Sequence, residues 1–394
     1  MIRLEHAAAF RREILAAGRA AGLVSRPVRV AAAGTLALAY EEGPGRERID
    51  FSPPAFVLGR PVEPACLRGV GEGFYLYEPR QVFRVRNARV VGWRALLLED
   101  GGLVAGGEVM GEARLAEVRR SAERGYEGYL LEAAAPALFH RPPVDDAVIE
   151  GVGVFVGALE PGNYGAFLMR VLPGLLMLAE EGLRFDYIVV PRVTPWLGSA
   201  LAWLGLGERV VLAAEAISGR VCRELLVVRE PESEGCFDPV TLRRIARIAP
   251  GPAGPERIYV SRQDRLAAAP GYRPLVNELE IEAALRGRGY AVVLPERLGF
   301  AAQVGLFSGA RCVVGPSGSG MLNAVFAPEG AGVVDLESYT ATVRQHAKVY
   351  ASSGKRFGFV FGSVHDDPTR GLAFRDWEVS VGDVLEGARR VEAF

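Results

Sequence analysis

Residues 313–326 read VVGPSGSGMLNAVF, an apolar run that breaks at Gly315, Gly318 and Gly320 and resumes with the spacing of a helix from about Ser319. Such a run describes a strand buried on both faces that ends in a tight turn and feeds a helix. Glycines let the backbone turn sharply and approach a ligand, and the first N–H groups of a helix have no partner inside it. A strand–glycine turn–helix therefore favours bound anions, with Ser317 and Ser319 as added hydroxyl donors. The same residues also suit a plain turn in which Ser319 caps the helix. Both readings stand on this motif alone.

Working outward, the grammar repeats. ERIYVSR (256–262) reads as a strand, NELEIEAALRGRG (277–289) as a helix and YAVVLPE (290–296) as a strand. FAAQVGLFSGA (300–310) reads as a helix, and AGVVDLE (331–337) as a further apolar strand. Alternation of this kind predicts an α/β lobe with a buried parallel sheet, whose ligands bind beyond the carboxyl ends of the strands. Arg262 falls at such an end and can offer a planar cationic fork there, against the bland reading of a solvated loop arginine. Asn277 and Glu278 open the next helix, where a cap and a dipole partner explain them as well as contacts to a ligand would.

Upstream, PGPAGP (250–255) reads as a linker. Before it, VGVFVG, a helix over 166–181, YIVVP, WLGSALAWLGLG, ERVVLAA and ELLVVRE predict a first α/β lobe over 146–250. Residues 1–145 read as an amphipathic N-terminal helix followed by a β-rich region, with a hairpin at LLLEDGGLVAGGEV. The expected divisions are thus 1–145, 146–250, 251–345 and a C-terminal segment, 346–394.

Composition narrows the function. With 49% hydrophobic and 24% charged residues the 394-residue chain has ordinary globular balance, and a net charge of -1 supplies no global field for nucleic acid. Its cations are nearly all arginine, Lys348 and Lys355 being the lysines. Cys66, Cys222, Cys236 and Cys312 lie too far apart in sequence for a metal-ligand pair or a disulfide scaffold, so a reducing cytoplasm is the simplest setting. His6, His140, His346 and His365 show no metal-ligand spacing; His346, after the last apolar strand, is the best placed of them for a cleft.

The ordered set RIYVSR, R-x-x-x-NE (Arg273, Asn277, Glu278), Q-x-x-x-F (Gln303, Phe307) and G-x-S-G-x-G-x-x-N (Gly315 to Asn323) resembles the glycosyltransferase family 61 domain. EPGNYGAFLMRVLPGL (160–175) is similar to that family's N-lobe segment, so the resemblance covers roughly 150–345. It implies a GT-B-like pair of Rossmann-type lobes, here preceded by the β-rich region. It also implies inverting transfer of a sugar from a nucleotide-sugar donor to a glycan or glycolipid acceptor, in surface or capsular polysaccharide synthesis. The donor is then a substrate, with no tightly bound cofactor. Arg262, Asn277, Glu278, Ser317, Gly318, Ser319, Gly320 and Asn323 become its expected contacts. Without a D-x-D signature no metal is expected. The expected location is cytoplasmic, with peripheral contact at the inner membrane as the alternative, and no nucleic-acid partner is expected.

Two positions depart from the family. Where its members commonly carry histidine, this chain has Ala166 and Ser317, neither of which is a base at neutral pH without help. Glu160, Asp335 and Glu337 are the carboxylates left to act as base. The alternative function is a catalytically impaired, glycosyltransferase-like binding or assembly protein. A dinucleotide-dependent dehydrogenase ranks lower, because the glycine turn lies late in the chain and no ribose-binding acid follows it.

Overall fold

A computed structural model describes residues 24–27, 34–41, 47–61, 64–77, 79–105, 108–109, 130–131, 137–140, 143, 145, 147–158, 160–229, 236–249, 254–268, 272–338 and 342–393. The expected N-terminal helix and most of the PGPAGP linker lie outside these residues. The fold is mixed α/β, and the chain divides into two compact units, Met1–Arg46 with Glu78–Glu232, and Glu47–Tyr77 with Ser233–Phe394.

The first unit is organised on a ten-stranded mixed sheet. Its parallel part runs in the order Val210–Ala213, Tyr187–Val190, Ile149–Phe155 and Val221–Val228. The last of these pairs antiparallel with Gln81–Val90, and the sheet continues into Ala95–Leu97 and Leu103–Ala105. The expected boundary near residue 145 therefore does not separate two sheets. Apolar residues on both faces of these strands, such as Phe155, Ile188 and Leu225, account for the shared layer. The predicted hairpin is present: Gly101 takes the left-handed conformation (φ 83°), and the Asp100 carboxylate accepts the Gly102 N–H at 2.9 Å.

Between the first two parallel strands the helix is not uniform. Asn163 caps Tyr164–Ala166 by accepting the N–H groups of Gly165 and Ala166; a π turn follows over Phe167–Val171, and α-helix resumes over Leu172–Glu180. Pro173 has no N–H to give the preceding turn, and the ladder shifts to i+5 there, Leu172 N–H reaching the Phe167 carbonyl.

The second unit carries a six-stranded, wholly parallel sheet. Its order is Ala291–Val293, Arg257–Val260, Cys312–Pro316, Gly332–Glu337, Arg356–Phe361 and Phe56–Leu58. Numbered by their succession from residue 257, the first five strands run 2-1-3-4-5. This is a doubly wound order whose direction reverses between Arg257–Val260 and Cys312–Pro316, the position where such sheets take ligands. The unit's helices include Pro239–Ile248, Glu278–Arg286, Phe300–Ser308, Val343–Ser352 and Val381–Glu392.

For the C-terminal segment the resemblance allows a crossing back to the first lobe, and an ordinary helix packed on its own lobe is the alternative. Val381–Glu392 packs on Gly332–Glu337, Arg356–Phe361 and helix Glu278–Arg286 of its own unit. Its buried stripe, Val384, Gly387, Ala388 and Val391, is used up on that sheet, with Gly387 seated over Val334 and Val360. Residues 346–394 are thus part of the second sheet's unit, and Arg356–Phe361 is one of its inner strands.

Gly315 shows how tightly the reversal point is packed. A Cβ there would lie 2.7 Å from the Val260 carbonyl oxygen and 2.8 Å from Met321 Sδ. Gly315→Ala should therefore push the two strands apart and cost about 1–3 kcal/mol, the usual range for overpacking. Urea denaturation of the variant checks this; an unchanged midpoint would mean that the strands have slack.

Candidate functional site

Four side chains build the turn around Arg262. Glu278, the first residue of its helix, is buried, and its carboxylate accepts from the Arg262 backbone N–H (2.7 Å), Gln263 Nε2 (3.0 Å) and the Tyr259 hydroxyl (3.3 Å). Burial pushes the Glu278 carboxyl above its ordinary range, while the Arg262 N–H and guanidinium pull it back. The clamp fixes the chain as it leaves the strand and sends the Arg262 side chain toward the neighbouring strand end. There Nη1 donates to the Ser317 carbonyl at 3.2 Å, and the guanidinium lies 5.6 Å from the Tyr272 ring centroid.

Beyond Ser317 the chain becomes accessible. Ser317 is fully buried, whereas Gly318, Ser319 and Gly320 are half-buried. A Cβ on Gly318 would stand 3.8 Å from Arg262 Nε, so the turn passes close beside the guanidinium of a residue that is itself 9% exposed. The helix that follows, Ser319–Phe326, is 3-10 rather than α, with Gly318 at its N-cap and no side-chain cap. The capping role offered for Ser319 is therefore not the one it plays. Met321 N–H bonds the Gly318 carbonyl at 3.0 Å, and the N–H groups before it belong to the end of a helix where no intrahelical acceptor exists. A cation and a glycine turn thus meet where the sheet reverses direction, an arrangement suited to a phosphate or diphosphate.

Behind the turn lies a buried polar network. Asp335 and Glu337, two residues apart on one strand, are both fully buried. Glu337 pairs with the buried Arg273 and accepts from the Ser338 N–H (2.9 Å) and Thr342 Oγ1 (2.8 Å). Asp335 Oδ2 accepts from the Tyr350 hydroxyl and meets His346 Nδ1, each at 2.6 Å. Ser317 Oγ stands 3.3 Å from Thr342 Oγ1 and 3.4 Å from His346 Nδ1. Since Thr342 gives its proton to Glu337, Ser317 must donate to Thr342, and its hydroxyl is committed inward. Of the residues expected to touch a donor, Ser317 therefore contributes its carbonyl to Arg262 rather than its side chain to a ligand.

Two further residues expected at the donor have their amides bonded within the protein. Asn277 neither caps its helix nor turns its amide to a ligand: Nδ2 donates to the Val379 carbonyl (2.8 Å), and Oδ1 accepts the Val379 N–H (3.3 Å). Asn323 is fully buried and donates to Gln303 Oε1 at 2.8 Å, tying the 3-10 turn to helix Phe300–Ser308. Asp335 and Glu337, offered as bases, are held by the hydrogen bonds above. Asn277→Ala should cost about 1–2 kcal/mol through two lost hydrogen bonds and leave nucleotide affinity unchanged. Calorimetry on the variant tests this, and a loss of nucleotide affinity would return Asn277 to the site. The Glu278 clamp and the Tyr272 platform had no signal in the sequence beyond a helix-opening acid and a loop aromatic.

Glu160 belongs to the first unit. It holds a left-handed conformation (φ 54°), its carbonyl accepting the Asn163 N–H at 2.9 Å. With Ala166, Phe167, Arg192 and Trp196 it lines a recess past the carboxyl ends of Ile149–Phe155 and Tyr187–Val190. Tyr164 and Trp196 meet edge to face there, with centroids 5.4 Å apart. Among the described residues no three His, Cys, Asp or Glu side chains converge to hold a metal ion, and no helix is long and apolar enough to cross a membrane.

A parallel sheet with an anion-suited turn at its reversal point is the architecture of many nucleotide-binding α/β proteins. Within that class, residues 164–334 match the model of the Glycosyltransferase 61 family, a span that takes in Arg262, its Glu278 clamp and the whole glycine turn. The resemblance read from the ordered motifs is therefore borne out over those residues. No curated protein matches the chain.

Proposed function

We propose that the protein transfers a sugar from a nucleotide-sugar donor to a glycan acceptor, with the donor diphosphate held between Arg262 and the Ser317–Gly320 turn. The observation that carries this reading is the Arg262 guanidinium, anchored on the Ser317 carbonyl beside the glycine turn, inside the stretch that matches the family. In this reading the two α/β units correspond to the lobes of a GT-B-like enzyme, the second taking the donor and the first the acceptor. Arg262 and the turn's amides stabilise the departing diphosphate, the task a divalent ion performs elsewhere, and attack by an acceptor hydroxyl on the far face inverts the anomeric carbon. Surface or capsular polysaccharide is the product class, and synthesis takes place in the cytoplasm or at the inner face of the membrane.

A thermal-shift panel of UDP, GDP, CMP, dTDP and NAD tests the donor site, since a ligand at 100 times its Kd stabilises by about 2.7 kcal/mol. One nucleotide is expected to raise the melting temperature; none doing so would remove the donor site. The second reading, a binding or assembly protein without chemistry, is favoured by one observation: Asp335 and Glu337 are buried and hydrogen-bonded, which leaves neither free to act directly as base. Incubation with the matching nucleotide sugar separates the two, because an enzyme releases the nucleotide and a binder returns the donor intact.

A further inference from the structure

The first unit has strand ends of its own, and aromatic rings gather beside them. Glu160 and Pro161 belong to the loop after Ile149–Phe155, Arg192 follows closely on Tyr187–Val190, and all three line the recess there. Two backbone departures shape it. Glu160 is left-handed without being glycine, and Phe167, another lining residue, opens the π turn Phe167–Val171. Such departures recur at functional sites. Trp196 supplies an aromatic wall: its ring meets Tyr164 edge to face and Phe167 at a tilt, the latter with centroids 6.4 Å apart, and Tyr164 and Trp196 are both half-buried. Arg192 supplies the polar group. The Glu215 carboxylate holds its Nε at 3.0 Å and its Nη2 at 2.9 Å, while a Cβ on Gly162 would stand 3.8 Å from Nη1. Nη1 is thus placed beside the turn after Pro161, and it makes no hydrogen bond among the described residues. Because Glu215 balances its charge, this guanidinium is a fixed donor rather than an uncompensated cation, which suits a neutral hydroxyl better than an anion. The recess is narrow, wide enough for a hydroxyl and too small for a ring.

We propose that this recess is a sugar-binding subsite: one hydroxyl of a neutral sugar enters it and accepts from Arg192 Nη1, while the apolar face of the ring lies across the half-buried indole of Trp196. A sugar ring combines an apolar C–H face with a rim of hydroxyls, and the recess offers the matching pair, aromatic surface and a placed donor. Glucosides, mannosides and their like fit this description, whereas a phosphate or a free carboxylate lacks the apolar face and meets a guanidinium already paired. Assigning the bound sugar to the acceptor rests on the transfer reading given above; binding in the recess does not depend on it. No bond of the sugar is made or broken by these residues.

The test is titration, followed by saturation-transfer NMR, of the methyl glycosides of glucose, galactose, mannose, xylose, N-acetylglucosamine and glucuronic acid. Each is added alone and without nucleotide to the wild-type protein, Arg192→Ala and Trp196→Leu. At least one neutral glycoside should bind the wild type, with a Kd about tenfold higher in either variant, and the glucuronide should bind no better than the glucoside. The Arg192 side chain is 44% exposed, so removing it should leave the fold intact, and Arg192→Ala decides even if Trp196→Leu does not fold. The subsite is overturned if no glycoside binds the wild type or if binding is unchanged in Arg192→Ala. A preference for the glucuronide overturns it too, because the recess would then be an anion site. The nucleotide thermal-shift panel keeps this result apart from the donor reading. A nucleotide shift without glycoside binding removes the recess and leaves the donor site standing, and glycoside binding without a nucleotide shift does the reverse.

Discussion

Replacing Arg262 with alanine is expected to weaken nucleoside diphosphate binding between 10- and 100-fold, roughly the 1.5–3 kcal/mol of a hydrogen bond to a charged group. The same change should cost only about 1 kcal/mol of folding stability, the usual worth of a hydrogen bond such as the one its side chain gives the Ser317 carbonyl. Arg262→Lys should recover part of the affinity but not all of it. An ammonium keeps the charge, yet it cannot hold the Ser317 carbonyl and a phosphate oxygen with one rigid fork, nor stack its plane on Tyr272. Calorimetric titration of both variants, alongside urea denaturation, separates the two effects. Affinity unchanged in Arg262→Ala would take the guanidinium out of the site, and a stability loss of several kcal/mol would make it a structural residue.

The largest effect on stability belongs to the buried pair behind the turn. Arg273 and Glu337 are 2% and 0% exposed in their side chains, so removing either partner strands a charge where water cannot reach it. Arg273→Ala and Glu337→Ala should each cost about 3–5 kcal/mol. Glu337→Ala also leaves Thr342 and the Ser338 N–H without their acceptor. The double variant Arg273→Met/Glu337→Leu should cost less than either single alanine change, since two apolar groups fill the space without a stranded charge. Chemical denaturation of the three proteins tests this. Additive losses in the double variant would show that the pair is not coupled, and its burial would then need another explanation.

Much of the second sheet was legible because its strands carry apolar side chains on both faces and its turns fall at glycines, signals that survive without tertiary information. Arg262 was readable for the same reason: it is two residues past an apolar run, and strand ends in a parallel sheet all face one way. The polar residues were misread where their partners are remote in sequence. Asn277 finds the backbone of Val379 and Asn323 finds Gln303, pairings that no local pattern encodes. A helix-opening asparagine looks the same whether it caps its helix or fastens a distant strand. The boundary near residue 145 failed in a related way. The chain composition does change there, but Gln81–Val90 pairs with Val221–Val228, and a change of composition does not report which strands share hydrogen bonds.

The strand Phe56–Leu58 lies at the edge of the second sheet, beside Arg356–Phe361, although some 300 residues separate them. On a ribosome the early segment emerges first and finds no neighbour to pair with. The first unit's sheet can close as soon as Val221–Val228 has appeared, whereas the second waits for Arg356–Phe361, the last of its sheet's strands to be made. Even then it lacks Val381–Glu392, the helix that covers its central strands. During that interval Glu47–Tyr77 is a tethered apolar hairpin-and-strand segment looking for an edge, the kind of segment that chaperones bind and that pairs between copies at high expression. Slow, cool synthesis should favour recovery of folded protein for this reason.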